Sequence, residues 1–160
     1  MVRSASILLR GAPAANLANQ PLRVLTIDHE GSYSTFCPEL RGARSGRFDD
    51  FVMGNVARDS LADIQDHPVF RAVAQEIAAG RDACRNTCEY WAYCGGGDPS
   101  SKFFEHGRFD VTETATCRIH KQATVDAILD VLSPGPNPFS WIPHYGRDRP
   151  AAAPEPRAAS

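Results

Sequence analysis

No basic field runs along this sequence. Its 160 residues carry 17 Lys and Arg against 19 Asp and Glu, a formal charge of −2, and the cations are scattered without forming a run. Nucleic acids are gripped by clustered cations, so nothing here supports them as partners. Long apolar runs are missing as well. Near the N-terminus Ile7-Leu8-Leu9 is cut short by Arg10, which leaves too little for the core of a signal peptide and far too little to span a bilayer. The expectation is a cytoplasmic protein with no membrane partner. Internal repeats are absent, and the opening stretch shows no sustained period of two or 3.6. Residues 1–20 therefore read as a lead-in or as the remnant of a larger unit. At 42% hydrophobic and 22% charged, the chain suits one globular domain whose modest core a metal would help to stabilise.

Cysteine is present, and its distribution is uneven. Four of the five lie in one region, as Cys84-x3-Cys88-x5-Cys94 followed by Gly95-Gly-Gly97, with Cys117 returning after a polar excursion. In a reducing compartment such clusters are ligands or reactive thiols more often than disulfides, and an odd count fits four plus one. Structural zinc sites usually combine two short pairs across a longer loop. Three close cysteines and one remote one are nearer to the layout that ligates a cubane iron-sulfur cluster. Spacing points first to iron-sulfur and leaves zinc and metal-free redox thiols open. The three glycines would let backbone N–H groups approach cluster sulfur, or would form a mobile turn.

Other residues carry weaker signals. Cys37, between Phe36 and Pro38, reads as a small buried hydrophobe before it reads as a fifth ligand. His120, three residues after Cys117, is assigned to capping or packing. Tyr90, Trp91 and Tyr93 are expected to shield the cysteines from water, while Lys102, Glu105 and Glu113 read as solvated loop charges before substrate contacts.

The remaining pattern predicts an α+β fold, a small antiparallel hairpin or sheet with helices around a four-cysteine site. Leu22-Arg-Val-Leu-Thr-Ile27 and the stretch 32–36 form the hairpin across the turn Asp28-His-Glu-Gly31, and Phe51-Val-Met-Gly-Asn-Val56 adds a third strand. Ser60, with Asp63 in the capping-box position, opens a short helix. A second starts at Pro68, places Val69, Phe70, Val73 and Ile77 on one stripe, and ends at Gly80 as a left-handed cap. Ile119, Val125, Ile128, Leu129 and Leu132 approximate the face of a last helix, stopped by Pro134. Residues 21–132 are the expected domain. Residues 133–160 read as a Pro- and Ala-rich tail, tacked down locally by Phe139, Trp141, Ile142 and Tyr145 and disordered from 147.

Taken together, the hairpin, the Phe51 to Val56 segment, the Cys84, Cys88 and Cys94 run with its glycines, then Lys102, Glu105-His-Gly107 and Glu113-Thr-x-x-Cys117-Arg118 resemble the C-terminal SPASM domain of radical SAM peptide maturases. Tyr33-Ser-Thr-Phe-Cys-Pro-Glu-Leu40 narrows the resemblance toward the cyclophane-forming enzymes that crosslink side chains in glycine-rich-repeat and related precursor peptides. The resemblance implies that Cys84, Cys88, Cys94 and Cys117 bind one auxiliary [4Fe-4S] cluster. A full SPASM domain holds a second cluster through further cysteines, one of them four positions after the third; here that position is Asp98. Cys37 is left as a remnant. The family's catalytic Cys-x3-Cys-x2-Cys loop does not occur, and the residues before Pro21 are too few for its barrel. The resemblance then implies either a truncated or split maturase or a free-standing domain beside a separate radical SAM subunit, serving a precursor peptide by electron relay or peptide binding and not cleaving S-adenosylmethionine alone.

Overall fold

The computed structural model of the chain describes residues 16–132. The chain divides into two units, residues 1–125 and 126–160, and the described part of the second is the end of the last helix. The readings made for residues 1–15, for Pro134 and for the tail from 133 onward lie outside the described residues. Among the described residues no helix is long and apolar enough to cross a membrane.

The fold is α+β. Its sheet is one antiparallel pair, β1 (Leu25–Ile27) and β2 (Tyr33–Thr35), in a register that sets Leu25 opposite Thr35 and Ile27 opposite Tyr33. The turn between them is an Asx turn: Asp28 Oδ1 accepts the N–H groups of Glu30 and Ser32 at 3.0 and 2.9 Å, and Asp28 Oδ2 takes a bond from Arg41 at 2.8 Å. β2 is buried throughout.

The third strand is reduced to a single bridge between Ser32 and Asn55. Residues 53–56 still run beside β2, with Met53 N–H bonded to the Tyr33 carbonyl and Tyr33 N–H to that of Gly54, each at 2.9 Å. The ladder fails at its start because Asp49, Asp50 and Phe51 all take left-handed φ values of 47, 49 and 60°, which no extended strand can include. That bend turns Phe51 into the core. Phe48, Phe51 and Phe109 are fully buried, and Phe103 packs edge-on to Phe51 with centroids 4.9 Å apart. Each ring contributes about 1.5–3 kcal/mol by burial. Phe103 and Phe109 lie on either side of one helix end, so this cluster also fixes the segment that faces the cysteines.

Ser60 caps as expected, its Oγ accepting the Ala62 N–H, but the turns that follow, Leu61–Asp66, are 3-10. The long helix α1 is Pro68–Thr87, with Pro68 in its first turn. It runs seven residues past Gly80. The buried stripe is Phe70, Val73, Ile77, Gly80 and Cys84, one continuous 3.6-residue period that carries the first cysteine on the core face. Gly80 is therefore not a cap. It is the point where the Phe109 carbonyl crosses the helix, and a Cβ there would stand 2.1 Å from that oxygen.

Three short helices follow: α2 (Trp91–Cys94), α3 (Pro99–His106) and α4 (Ala115–Cys117). A π turn, Arg118–Gln122, joins α4 to α5 (Ala123–Leu132). The extra residue in that turn shifts the helical register, so the stripe read from Ile119 does not hold: Val125 is buried, whereas Ile119, Leu129 and Leu132 are exposed.

Candidate metal centre

The four clustered cysteines reach one place by different routes. Cys84 occupies the last turn of α1, and Cys88 is its extended C-cap, with its N–H bonded to the Cys84 carbonyl at 2.9 Å. One turn of α2 returns Cys94. Cys117 ends α4, a helix capped by Thr114, whose Oγ1 accepts the Cys117 N–H at 2.9 Å. All four line a single open cavity of ≈ 370 Å³, together with Tyr90, Trp91, Gly96, Gly97 and Glu113. The thiols stand around its walls. Among the described residues no three His, Cys, Asp or Glu side chains form a group that could hold a single metal ion.

Cys37, His120 and Tyr93 do not line this cavity. Cys37 is in the hydrophobic core, where burial pushes its thiol up to about 11 against the opposing hydrogen bonds from Ser100. That matches its reading as a small hydrophobe.

One wall is the glycine turn. Gly95, Gly96 and Gly97 have φ values of 68, 108 and 71°, left-handed or wider conformations that a side chain would strain. The turn aims the Gly97 N–H at Cys94 Sγ, 3.1 Å away. Its carbonyls are tied down by residues assigned from sequence to the lead-in. Asn19 Nδ2 donates to Gly95 O at 3.1 Å and Gly97 O at 2.9 Å, and Asn16 Nδ2 donates to Gly97 O at 2.7 Å. These two asparagines escaped the sequence analysis because a polar side chain clamping a distant backbone leaves no periodic trace; the Asx position before Leu17–Asn19 was the only local hint.

Asn19 is buried. Asn19→Ala takes the side-chain donor from Gly95 O and leaves Gly97 O with Asn16 alone, and the expected cost is about 1–3 kcal/mol. Urea unfolding at neutral pH should show a lowered midpoint with an unchanged slope; an unchanged midpoint would mean that the turn holds its shape unaided.

A charge is held against Cys84, outside the lining of the cavity. Lys102, on α3, is only 2% exposed, so its reading as a solvated loop charge is corrected. Its Nζ donates to Cys84 Sγ at 3.7 Å, and no carboxylate pairs with it among the described residues. Burial lowers its proton affinity, and Cys84, Cys94 and Cys117 act in the opposite sense. Burial is also the main reason that the Cys84 thiol is raised, with Lys102 pulling it back, and it lifts Cys117 to about 11, reinforced by Cys94 and Cys88. Hiding an ammonium costs several kcal/mol. A full negative charge about 4 Å away, at an effective dielectric of about 20, contributes about 4 kcal/mol. Ionised sulfur can thus hold Lys102 where it is, and a neutral thiol offers far less.

The other two charges differ from one another. Glu105 caps α4, taking bonds from Thr116 N–H at 3.1 Å and Thr116 Oγ1 at 2.9 Å as well as from Ala115 N–H, and those bonds hold its carboxyl below the usual range. It steadies the helix that presents Cys117. Glu113 stays solvated at the cavity rim and pairs loosely with Arg118 at 3.8 Å.

An uncharacterized protein of Synechocystis sp. is 40% identical to this chain over 114 residues. The match covers 71% of this chain and 29% of that relative, so the chain spans under a third of the relative's length. No family model matches the chain, and no solved structure does.

Proposed function

We propose that this chain is an auxiliary-cluster domain: Cys84, Cys88, Cys94 and Cys117 hold one [4Fe-4S] cluster, in support of radical SAM-dependent modification of a ribosomal precursor peptide. The observation that carries the reading is Lys102, a buried cation without a carboxylate partner among the described residues, hydrogen-bonded to one of four cysteines that line a single cavity. Thiols spread around a cavity suit a polynuclear cluster. A zinc ion, with Zn–S near 2.3 Å, would draw its sulfurs to within roughly 4 Å of one another. When bound, such a cluster takes up and gives back single electrons. This chain's own residues would anchor it, keep Tyr90 and Trp91 beside it, and offer the rim at Glu113 to a peptide or to a catalytic subunit. The Synechocystis relative is much longer than the matched segment, which leaves room there for a catalytic part.

Protein purified without oxygen is expected to be brown and to hold about four iron and four sulfide per chain. Stoichiometric zinc with no iron after anaerobic reconstitution would instead identify a zinc-stabilised interaction module. With reductant and S-adenosylmethionine, the chain alone should form only background 5′-deoxyadenosine, while adding it to a cognate radical SAM subunit should raise peptide modification.

A further inference from the structure

We infer that Lys102 is the residue that sets the reduction potential of the site, acting as a fixed cation against the sulfur of Cys84; the inference rests on the cluster reading above. The geometry is specific. Lys102 lies one turn into α3, and the helix is fixed from both ends, by Pro99 in its first turn and by the Phe103 and Phe109 rings packed in the core. Its stem passes close to Gly97: a Cβ there would stand in ordinary contact, 3.5 Å from Lys102 Cε. The residue is only 2% exposed, and Cys84 Sγ at 3.7 Å is the hydrogen-bond partner of its ammonium.

Adding an electron to a thiolate-bound cluster increases negative charge in a confined space. A permanent positive charge at that distance favours the reduced form more than the oxidised one, because the attraction grows with the charge it faces. Hydrogen bonds to ligand sulfur act in the same direction, and the Gly97 N–H at Cys94 Sγ supplies one. The two donors differ in kind. The backbone N–H is a dipole that no side-chain substitution removes, whereas Lys102 brings a whole charge. Lys102 is thus a positioning residue for charge that touches a ligand and not the transferred electron itself.

The test uses the reconstituted full chain, with iron content and a mediated one-electron redox titration followed by electron paramagnetic resonance. Lys102→Met keeps the length of the stem and removes the charge; Lys102→Arg keeps the charge. The expected result is that Lys102→Met retains iron and its midpoint falls, so that at fixed poise the reduced-to-oxidised ratio drops about tenfold, or about 59 mV for one electron. Lys102→Arg should stay near the wild type. Should Lys102→Met lose its iron while Lys102→Arg keeps it, the charge requirement stands, with cluster retention as its readout. An unchanged midpoint in Lys102→Met, or equal losses of iron or potential in both variants, overturns the inference by showing that the side chain acts through shape alone or not at all. A wild-type chain that takes up no iron defeats the cluster reading itself, and iron analysis reveals that before any potential is measured.

Discussion

Cys94→Ser is expected to come through anaerobic reconstitution with almost no iron, while Cys37→Ser retains the wild-type amount. The two substitutions exchange the same atoms in two buried thiols, so their difference reports location alone. Cys94 ends α2 at the cavity wall and accepts the Gly97 N–H through its sulfur. Serine keeps the shape but does not supply a thiolate, the ligand through which a four-cysteine site binds iron or zinc. Because the energy of metal binding is also energy of folding in small metal domains, the thermal midpoint of Cys94→Ser should fall to that of the metal-free wild type. Cys37 sits in the aromatic core away from the cavity, where a hydroxyl costs about 1–3 kcal/mol unless Ser100 satisfies it. Equal loss of iron in both variants would make Cys37 a ligand and would overturn the division into four ligands and one core residue.

Gly80→Ala is expected to destabilise the chain by about 3 kcal/mol, contrary to the usual behaviour of that exchange in a helix. Alanine has the better helix propensity by about 1 kcal/mol, so helix formation alone predicts a gain. The new methyl, however, would lie 2.1 Å from the Phe109 carbonyl oxygen and 3.1 Å from the Asp110 Cα. Those are backbone atoms with no rotamer to change. Phe109 is fully buried among Phe48, Phe51 and Phe103, so relief requires lifting the strand of chain that follows α3 off the core. Overpacking of this kind costs about 1–3 kcal/mol and sometimes more, against a total stability of about 5–15 kcal/mol for a domain. Thr112, whose carbonyl meets Cys84 Sγ at 3.3 Å, lies on the same stretch, so cluster retention should weaken together with stability. Denaturant melts of the two forms decide it: a midpoint equal to or above the wild type would mean that the crossing is looser than 2.1 Å implies.

The parts of this protein that could be read from its sequence are those with local causes. The hairpin follows from a β-branched run and an Asp28 turn whose Oδ1 bonds lie within four residues. The clustered cysteines announce themselves by spacing, and all four do line one cavity. What escaped depends on contacts across the chain. Gly80 looks like a helix end because glycine commonly is one; only the Phe109 backbone, far along the sequence, makes it a crossing point. The period that continued to Cys84 was visible at four residues' distance, and it argued for the longer helix. Lys102 looks like any loop lysine, since its burial is imposed by the aromatic cluster on the next residue and by the sulfur it faces. The third strand failed for a backbone reason: three successive left-handed residues, two of them aspartates, which tolerate that region.

The clamp between the asparagines and the glycine turn has a consequence for the order of folding. The thiols are separated by at most a few dozen positions, and Cys84 and Cys88 are brought together by a helix that forms from neighbouring residues. The bonds from Asn16 and Asn19 to the turn instead join positions 76 to 81 apart. Contacts that close such long stretches of chain are entropically slow and tend to come late. On that ground the four thiols are expected to gather before the glycine wall is locked by the docking of the first described residues. The same order would leave the thiols grouped but open on the glycine side until Asn16 and Asn19 close it.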